Sequence, residues 1–171
     1  MGPGVTIGDV TIDSISYNLW YTAMLLGRSI TGIRAGDVVR LTELLRKNQK
    51  ISEVFGIARK ELAPVLLHAA AFDPSISKIA LIEPYSSYQS IVMSGFYDPK
   101  FVHSIAPGAL TAYDLPDLAA SLAPRKLLIA NATDGNSKST DVERISKDLD
   151  LIKIAYRFQT ADGQLNIVSA R

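Results

Sequence analysis

Apolar and polar positions follow two alternating patterns along the chain. Short runs rich in apolar residues recur near residues 53–57, 78–83, 126–132 and 164–169. Runs of this length favour strands that are buried on both faces of a parallel sheet. The segments between them space their apolar residues by three and four, as helices packed on a sheet do. The alternation predicts an α/β fold with three layers, a mainly parallel sheet and right-handed crossovers.

Helices are predicted where that spacing coincides with suitable end residues. Pro64 is compatible with a helix because it falls in the first turn, and Asp114 stands at the start of another helix, where a carboxylate is favourable. The segment from 85 to 112 mixes aromatic residues with glycine and proline, and it predicts an irregular connection. The predicted helices cover residues 17–27, 29–47, 61–72, 114–124 and 142–156.

The first fifteen residues form a unit of their own. Two β-branched runs in 5–13 flank Gly8 and Asp9, a pair that suits a tight hairpin turn. Ser14 and Ser16 are suitable caps for the helix that follows. We therefore expect a single domain over residues 1–171, in which 1–15 is an N-terminal extension or hairpin.

Composition narrows the classes of function. With 171 residues, of which 47% are apolar, the chain is large and apolar enough for one folded domain. Its 18 basic and 17 acidic residues give a net charge of +1, which argues against a nucleic-acid-binding protein. No apolar stretch approaches the roughly 20 residues of a membrane span. The sequence thus predicts neither nucleic acid nor a membrane as a partner.

No sequence pattern points to a cofactor or a metal. The chain has no cysteine, which excludes disulfides and thiolate metal sites. It also lacks a phosphate-binding loop, a dinucleotide-binding glycine pattern and a metal-ligand cluster. We expect no cofactor and no metal. No signal peptide is visible, and the compartment is left open.

Three segments carry a resemblance to a known family. They are "GRSITGIRAGDVVRLTELL" (27–45), "VFGIARKELAPVLLHAAAFDP" (54–74) and "APGALTAYDLPDLAASLAPRKLLIANATDGN" (106–136). In their order and spacing they resemble the C-terminal half of an α/β-hydrolase, and in particular the acetyl xylan esterase-like proteins of polysaccharide-degrading bacteria. The resemblance covers roughly residues 17–168. It implies a truncated hydrolase-like fold in which the first strands of the family are missing.

The resemblance also implies positions for a catalytic triad. In such families a serine sits in a glycine-x-serine-x-glycine turn, an acid follows a later strand, and a histidine comes after the last strand. The acid position matches Asp134 in "ATDGN", whereas the serine position holds Ala58. The histidine position would lie beyond the last predicted strand, and neither His68 nor His103 falls there. The resemblance therefore implies a catalytically incomplete domain.

Each of these positions has a plainer interpretation. Asp134 is also a suitable turn residue before a glycine, and Ala58 fits as a packed residue at a tight turn. Arg59 and Lys60 either attract an anionic ligand at a helix N-terminus or form a solvated charged pair. Nothing in the spacing of Glu83 and Asp98 supports paired carboxylates for glycoside chemistry.

The aromatic residues of the irregular segment are candidates for substrate binding. Tyr85, Tyr88 and Phe96 lie where the family resemblance implies a substrate lid, and aromatic rings over a cleft stack on sugars. The alternative is that they form a satellite core beneath a long loop.

Two functions follow from the sequence. The first is a non-catalytic esterase-like domain with a structural, partner-binding or weak carbohydrate-binding role. The alternative is a carbohydrate ester hydrolase that is completed by segments absent from this chain or that uses another nucleophile, such as Ser86, Ser87 or Ser94. The strand at 53–57 is expected to leave an open edge, which recruits other strands. The expected partners are therefore a second copy or the remainder of a longer protein.

Overall fold

The computed structural model of the protein describes residues 11–12, 15–49 and 51–169. The described chain begins with a short antiparallel pair, β1 (Thr11–Ile12) and β2 (Ile15–Ser16). The turn predicted at Gly8 and Asp9 lies outside the described residues. Ser16 caps the next helix as predicted, because its Oγ accepts a hydrogen bond from the Leu19 amide at 3.2 Å.

Two helices precede the main sheet. They are α1 (Tyr17–Leu25) and α2 (Ile30–Gln49), close to the predicted 17–27 and 29–47. Gly27, in the connection between them, has a φ of 65°, which a glycine adopts without steric cost. Among the described helices, none combines the length and apolar character that a membrane crossing requires.

A sheet of parallel strands forms the centre of the fold. Its order is β3-β4-β5-β6, and each of the three pairings is parallel. The strands are β3 (Val54–Arg59), β4 (Ile76–Ile82), β5 (Lys126–Ala130) and β6 (Leu165–Val168). Both ends of each strand lie within about two residues of the predicted bounds. The α/β class and the parallel sheet are therefore confirmed.

Helical connections join the strands. A 3-10 turn (Lys60–Leu62) leads into α3 (Ala63–Phe72), and α6 (Val142–Phe158) joins β5 to β6. The connection from β4 to β5 holds α4 (Tyr88–Val92) and α5 (Leu115–Ser121), with 3-10 turns at Pro99–Ser104 and Ala109–Thr111 between them. The predicted irregular segment therefore contains one short helix and two 3-10 turns.

The helices α3, α5 and α6 share one hydrophobic core with one face of the sheet. The strands follow one another across the sheet without reversal, so right-handed crossovers place their helices on the same side. Leu81, Leu127 and Ile129 on this face are almost fully buried. Gly56 is needed here, because a Cβ at this position would lie 2.5 Å from Cδ1 of Leu66 in α3.

The opposite face of the sheet is bare within the described residues. Phe55 is 58% exposed and Ile57 is 77% exposed, and Leu128 on the same face is only half-buried. The second helical layer of the predicted three-layer arrangement is not formed by the described part of the chain. In that part β3 pairs only with β4, so β3 is an edge strand.

Candidate functional site

The carboxyl ends of three neighbouring strands meet at a polar crevice. Ligand sites of parallel α/β sheets form at this edge, outside the carboxyl ends of the strands. The crevice has a volume of about 330 Å³. Lys60 follows β3, Glu83 follows β4, and Asn131 follows β5. The remaining lining residues carry hydroxyl groups, and they are Thr133, Ser137 and Ser139.

Unusual backbone conformations concentrate in this crevice. Lys60, Glu83, Asn131 and Ser137 have φ values of 51°, 51°, 55° and 59°. Among the described residues only one further non-glycine residue, Thr160 at the end of α6, has a positive φ. Each such conformation costs about 1–2 kcal/mol for a residue with a side chain. Backbone strain of this kind is held in place by its surroundings, and it clusters at functional sites.

The turn after β3 places Lys60 at the strand-to-helix position. The family resemblance implies Ala58 at this position, but β3 continues through Arg59, and Ala58 is a core residue with 8% exposure. The left-handed residue at the turn is Lys60. The assignment was displaced by two residues because Gly56 resembles the first glycine of the hydrolase motif. In the structure Gly56 instead gives Leu66 room to approach the strand.

Lys60 and Glu83 of the crevice form a charged cluster with the neighbouring Arg59. Arg59 donates to Glu83 through Nε, at 3.2 Å from Oε2, and through Nη2, at 3.1 Å from Oε1 and 2.9 Å from Oε2. Lys60 Nζ lies 3.4 Å from the same Oε2. The hydrogen bonds from Arg59 are the main cause that lowers the pKa of Glu83 below its ordinary value. The cluster therefore holds two cations and one carboxylate.

Asp134 follows β5 and organises its own loop. Its Oδ1 accepts from the amides of Asn136 at 2.8 Å and Lys138 at 3.0 Å. Its Oδ2 accepts from the Thr140 amide at 3.2 Å, from the Thr140 hydroxyl, and from the Asp141 amide at 3.4 Å. Burial raises the pKa of Asp134, but these hydrogen bonds outweigh burial and bring the pKa below its ordinary value. Both carboxylate oxygens are thus used within the loop that lines the crevice.

Neither of the two histidines lines the crevice. His68 is buried in α3, where Nδ1 donates to the Pro64 carbonyl at 2.6 Å and Nε2 accepts from the Tyr113 hydroxyl at 2.8 Å. Burial lowers the pKa of His68, and the hydrogen bond to Pro64 offsets only part of this effect. His103 Nε2 donates to the Ser16 carbonyl at 2.6 Å. Each imidazole ring is therefore engaged in a hydrogen bond to a backbone carbonyl.

The structure corrects the prediction that Tyr85 and Tyr88 bind a sugar. Both side chains are 2% exposed, and their hydroxyls donate to Ser104 at 3.0 Å (Tyr85 to Oγ) and 3.2 Å (Tyr88 to the carbonyl). The Tyr85 ring lies 4.5 Å from the Phe101 ring, centroid to centroid. These residues form a core beneath the irregular segment. Phe96 is 92% exposed, so stacking on a sugar at this residue stays a prediction.

Within the described residues, none of the alternative serine nucleophiles is hydrogen-bonded to a base. Ser87 Oγ accepts from the Ser90 amide and caps α4, and Ser94 Oγ donates to Asn136 Oδ1 at 2.9 Å. Ser86 Oγ is buried without a hydrogen-bond partner within the described chain. A serine needs an adjacent base to act as a nucleophile. No group of His, Asp or Glu suited to a metal ion occurs among the described residues.

Comparison with known proteins identifies a fold relative. No protein-family model and no curated protein sequence matches this chain. The fold is similar to the crystal structure of a Bacteroides fragilis protein that is provisionally named an acetyl xylan esterase, with a TM-score of 0.72 and 16% sequence identity. The similarity covers 94% of this chain and 42% of that chain, so this chain spans less than half the length of the relative. The likeness establishes an α/β, esterase-like fold.

Proposed function

We propose that the protein is a non-catalytic α/β-hydrolase-like domain that binds a small hydroxylated ligand of carbohydrate type in the carboxyl-end crevice. One observation carries the proposal. Of the five non-glycine residues with positive φ in the described chain, four line this crevice beside hydroxyl side chains. Hydroxyl and amide groups both donate and accept hydrogen bonds, as recognition of a sugar requires.

Hydrolysis by this chain alone is not part of the proposal. Acyl transfer by a triad needs a nucleophile that is hydrogen-bonded to a base. The turn carries Lys60, whose ammonium group is paired with Glu83, and the oxygens of Asp134 are occupied by its own loop. Ala58→Ser or Lys60→Ser adds a hydroxyl but no base, so neither substitution is expected to create turnover.

Binding and hydrolysis are tested on the same preparation. Titration with xylo-oligosaccharides, followed by amide chemical shifts, is expected to show saturable shifts in residues 131–139. Ser137→Ala is expected to weaken binding about threefold to tenfold, the usual effect of one lost hydrogen bond. Ser121→Ala is the matched control, because its Oγ donates to Leu118 of α5, away from the crevice. Absence of saturable shifts would overturn the proposal.

A second candidate function is an ester hydrolase that is completed by segments absent from this chain. Two observations favour it, namely the fold likeness to the provisionally named esterase and the place of Asp134 in the loop that follows β5. An aryl acetate assay on the isolated chain separates the two functions. Turnover above the buffer rate that one point substitution abolishes would favour this second candidate over the first.

A further inference from the structure

We infer that the ligand of the carboxyl-end crevice carries a carboxylate beside its hydroxyl groups, as a sugar acid does. The inference rests on the proposed function and narrows it. It depends on how donors and acceptors are distributed over the crevice. Lys60 of the crevice and the adjacent Arg59 supply cationic donors (the cationic end), and Thr133, Ser137 and Ser139 supply hydroxyl acceptors.

The cationic end has donors to spare. Glu83 engages Nε and Nη2 of Arg59, whereas Nη1 of Arg59 has no hydrogen bond or ion pair within the described chain. Lys60 makes a single ion pair, to Glu83, although an ammonium group has three donors. A second carboxylate can therefore bind here without displacing Glu83.

Exposure favours an incoming anion at the same end. The side chains of Arg59 and Lys60 are 64% and 46% exposed, whereas that of Glu83 is 29% exposed. A ligand that enters from solvent thus meets the two cations before it meets the carboxylate. Arginine in particular binds planar carboxylates through paired N–H donors.

The hydroxyl residues that line the crevice offer hydrogen-bond acceptors. Ser137 Oγ donates to Asp98 Oδ2 at 2.7 Å, which leaves the oxygen lone pairs of Ser137 for a ligand. Thr133 Oγ1 and Ser139 Oγ each donate to a backbone carbonyl at 3.4 Å, and they too keep their lone pairs. Hydroxyl groups of a sugar supply the matching donors. A ligand that carries both a carboxylate and hydroxyl groups therefore matches the charged and hydroxyl residues of the crevice.

The test compares two probes that differ only at carbon 6. D-glucuronate and D-glucose are titrated into the full chain at low and at high salt, and amide chemical shifts follow the binding. We expect glucuronate to bind about tenfold more tightly than glucose, as a charge-assisted hydrogen bond implies. The difference should shrink at high salt because ions screen exposed charges. Acetate, which lacks the hydroxyls, is expected to bind more weakly than glucuronate.

Substitutions place the carboxylate at the cationic end. Arg59→Gln should remove most of the preference for glucuronate over glucose, and Lys60→Gln should do the same. Glu83→Gln should increase glucuronate affinity, because a competing carboxylate is removed. Lys153→Gln is the matched control, since Lys153 pairs with Asp150 on the surface of α6. Thermal melts establish that each variant is folded. If Arg59→Gln does not fold, Arg59→Lys replaces it, and it should also weaken the preference for glucuronate because lysine lacks the paired N–H donors of arginine.

The outcomes separate the inference from the proposed function. Equal affinity for glucose and glucuronate would overturn the inference and leave the proposed function intact. Absence of binding by either sugar would overturn the proposed function and the inference together. Acetate affinity equal to that of glucuronate, without glucose binding, would show a simple anion site and overturn the inference as well.

Discussion

The two faces of the central sheet differ in their surroundings and in their share of polar residues. On one face Leu127 is 1% exposed and Ile129 is 3% exposed, and on the other Phe55 is 58% and Ile57 is 77% exposed. A sheet face that is meant for solvent usually carries alternating polar residues. The bare face here mixes exposed apolar residues with polar ones, which include Lys78, Lys126 and Asn166. The comparison shows that the burial of an apolar strand residue depends on the chain packed around it and not on the strand alone.

The largest expected effect compares two adjacent residues of β5. Leu127→Ala on the covered face should lower the free energy of unfolding by about 2–5 kcal/mol, because it leaves a cavity in a packed core. Leu128→Ala on the bare face should cost less than about 1.5 kcal/mol, because fewer contacts are lost. Urea denaturation of both variants measures the difference. Equal costs would mean that the second face is covered in solution.

The close approach of α3 to the sheet gives the next effect. Gly56→Ala is expected to cost about 1–3 kcal/mol, because the added Cβ would lie 2.5 Å from Leu66 Cδ1, so that the Leu66 side chain or α3 would have to move. Gly95→Ala is the control, since a Cβ at Gly95 meets nothing within 4 Å. The midpoint of urea unfolding is the measurement. A neutral Gly56→Ala would show that α3 is not held tightly on the covered face.

Self-association is the expected consequence of the bare face. We propose that a second copy of the chain covers the exposed apolar residues next to the β3 edge, since large exposed apolar patches mark interaction sites. Light scattering should show a dimer, and Ile57→Lys should weaken the dimer about tenfold or more. Leu110→Lys, an exposed residue far from β3 in the chain, is the control. A strict monomer for the unmodified chain would contradict this proposal.

The smallest effect concerns pH and acts through the covering helices alone. Burial lowers the pKa of His68 in α3 below the ordinary value of 6.5, so the unfolded chain binds the proton more readily than the folded one. The free energy of unfolding therefore carries no penalty from His68 above pH 6.5, and it decreases as the pH drops below this value. Urea midpoints at pH 7.5 and 5.5 measure this loss, which His68→Gln should reduce. An unchanged midpoint would contradict a buried neutral histidine.

The local elements could be predicted from sequence because their signals are local. Each strand is a short run rich in apolar residues, and the helix after Asp114 begins with a capping box, in which Asp117 Oδ2 accepts from the Asp114 amide at 2.8 Å. The packing of helices on only one face of the sheet could not be predicted. It follows from the order of the strands in the sheet, and the sequence of an individual strand does not specify that order. Apolar composition alone therefore suggested a third layer that the described residues do not form.

The candidate site was harder to predict than the fold. Nothing in the composition of a lysine, a glutamate and an asparagine at three strand ends shows that all three adopt positive φ. Gly56 matches the first glycine of a nucleophile turn in sequence, but its contact with Leu66 of α3 accounts for a glycine at this position. Likewise, the aromatic character of Tyr85 and Tyr88 does not reveal whether their rings face solvent or core. Such orientations depend on contacts between segments far apart in the chain.

Strands that are neighbours in the sheet β3-β4-β5-β6 are also successive strands in the chain. Each pairing therefore closes only the loop formed by one crossover, and the entropy lost on closing a loop rises with its length. Chains dominated by contacts of short sequence separation fold faster than those that must join distant segments. The sheet can thus form by addition of one strand and one helix at a time, with each new unit docking on a strand already in place.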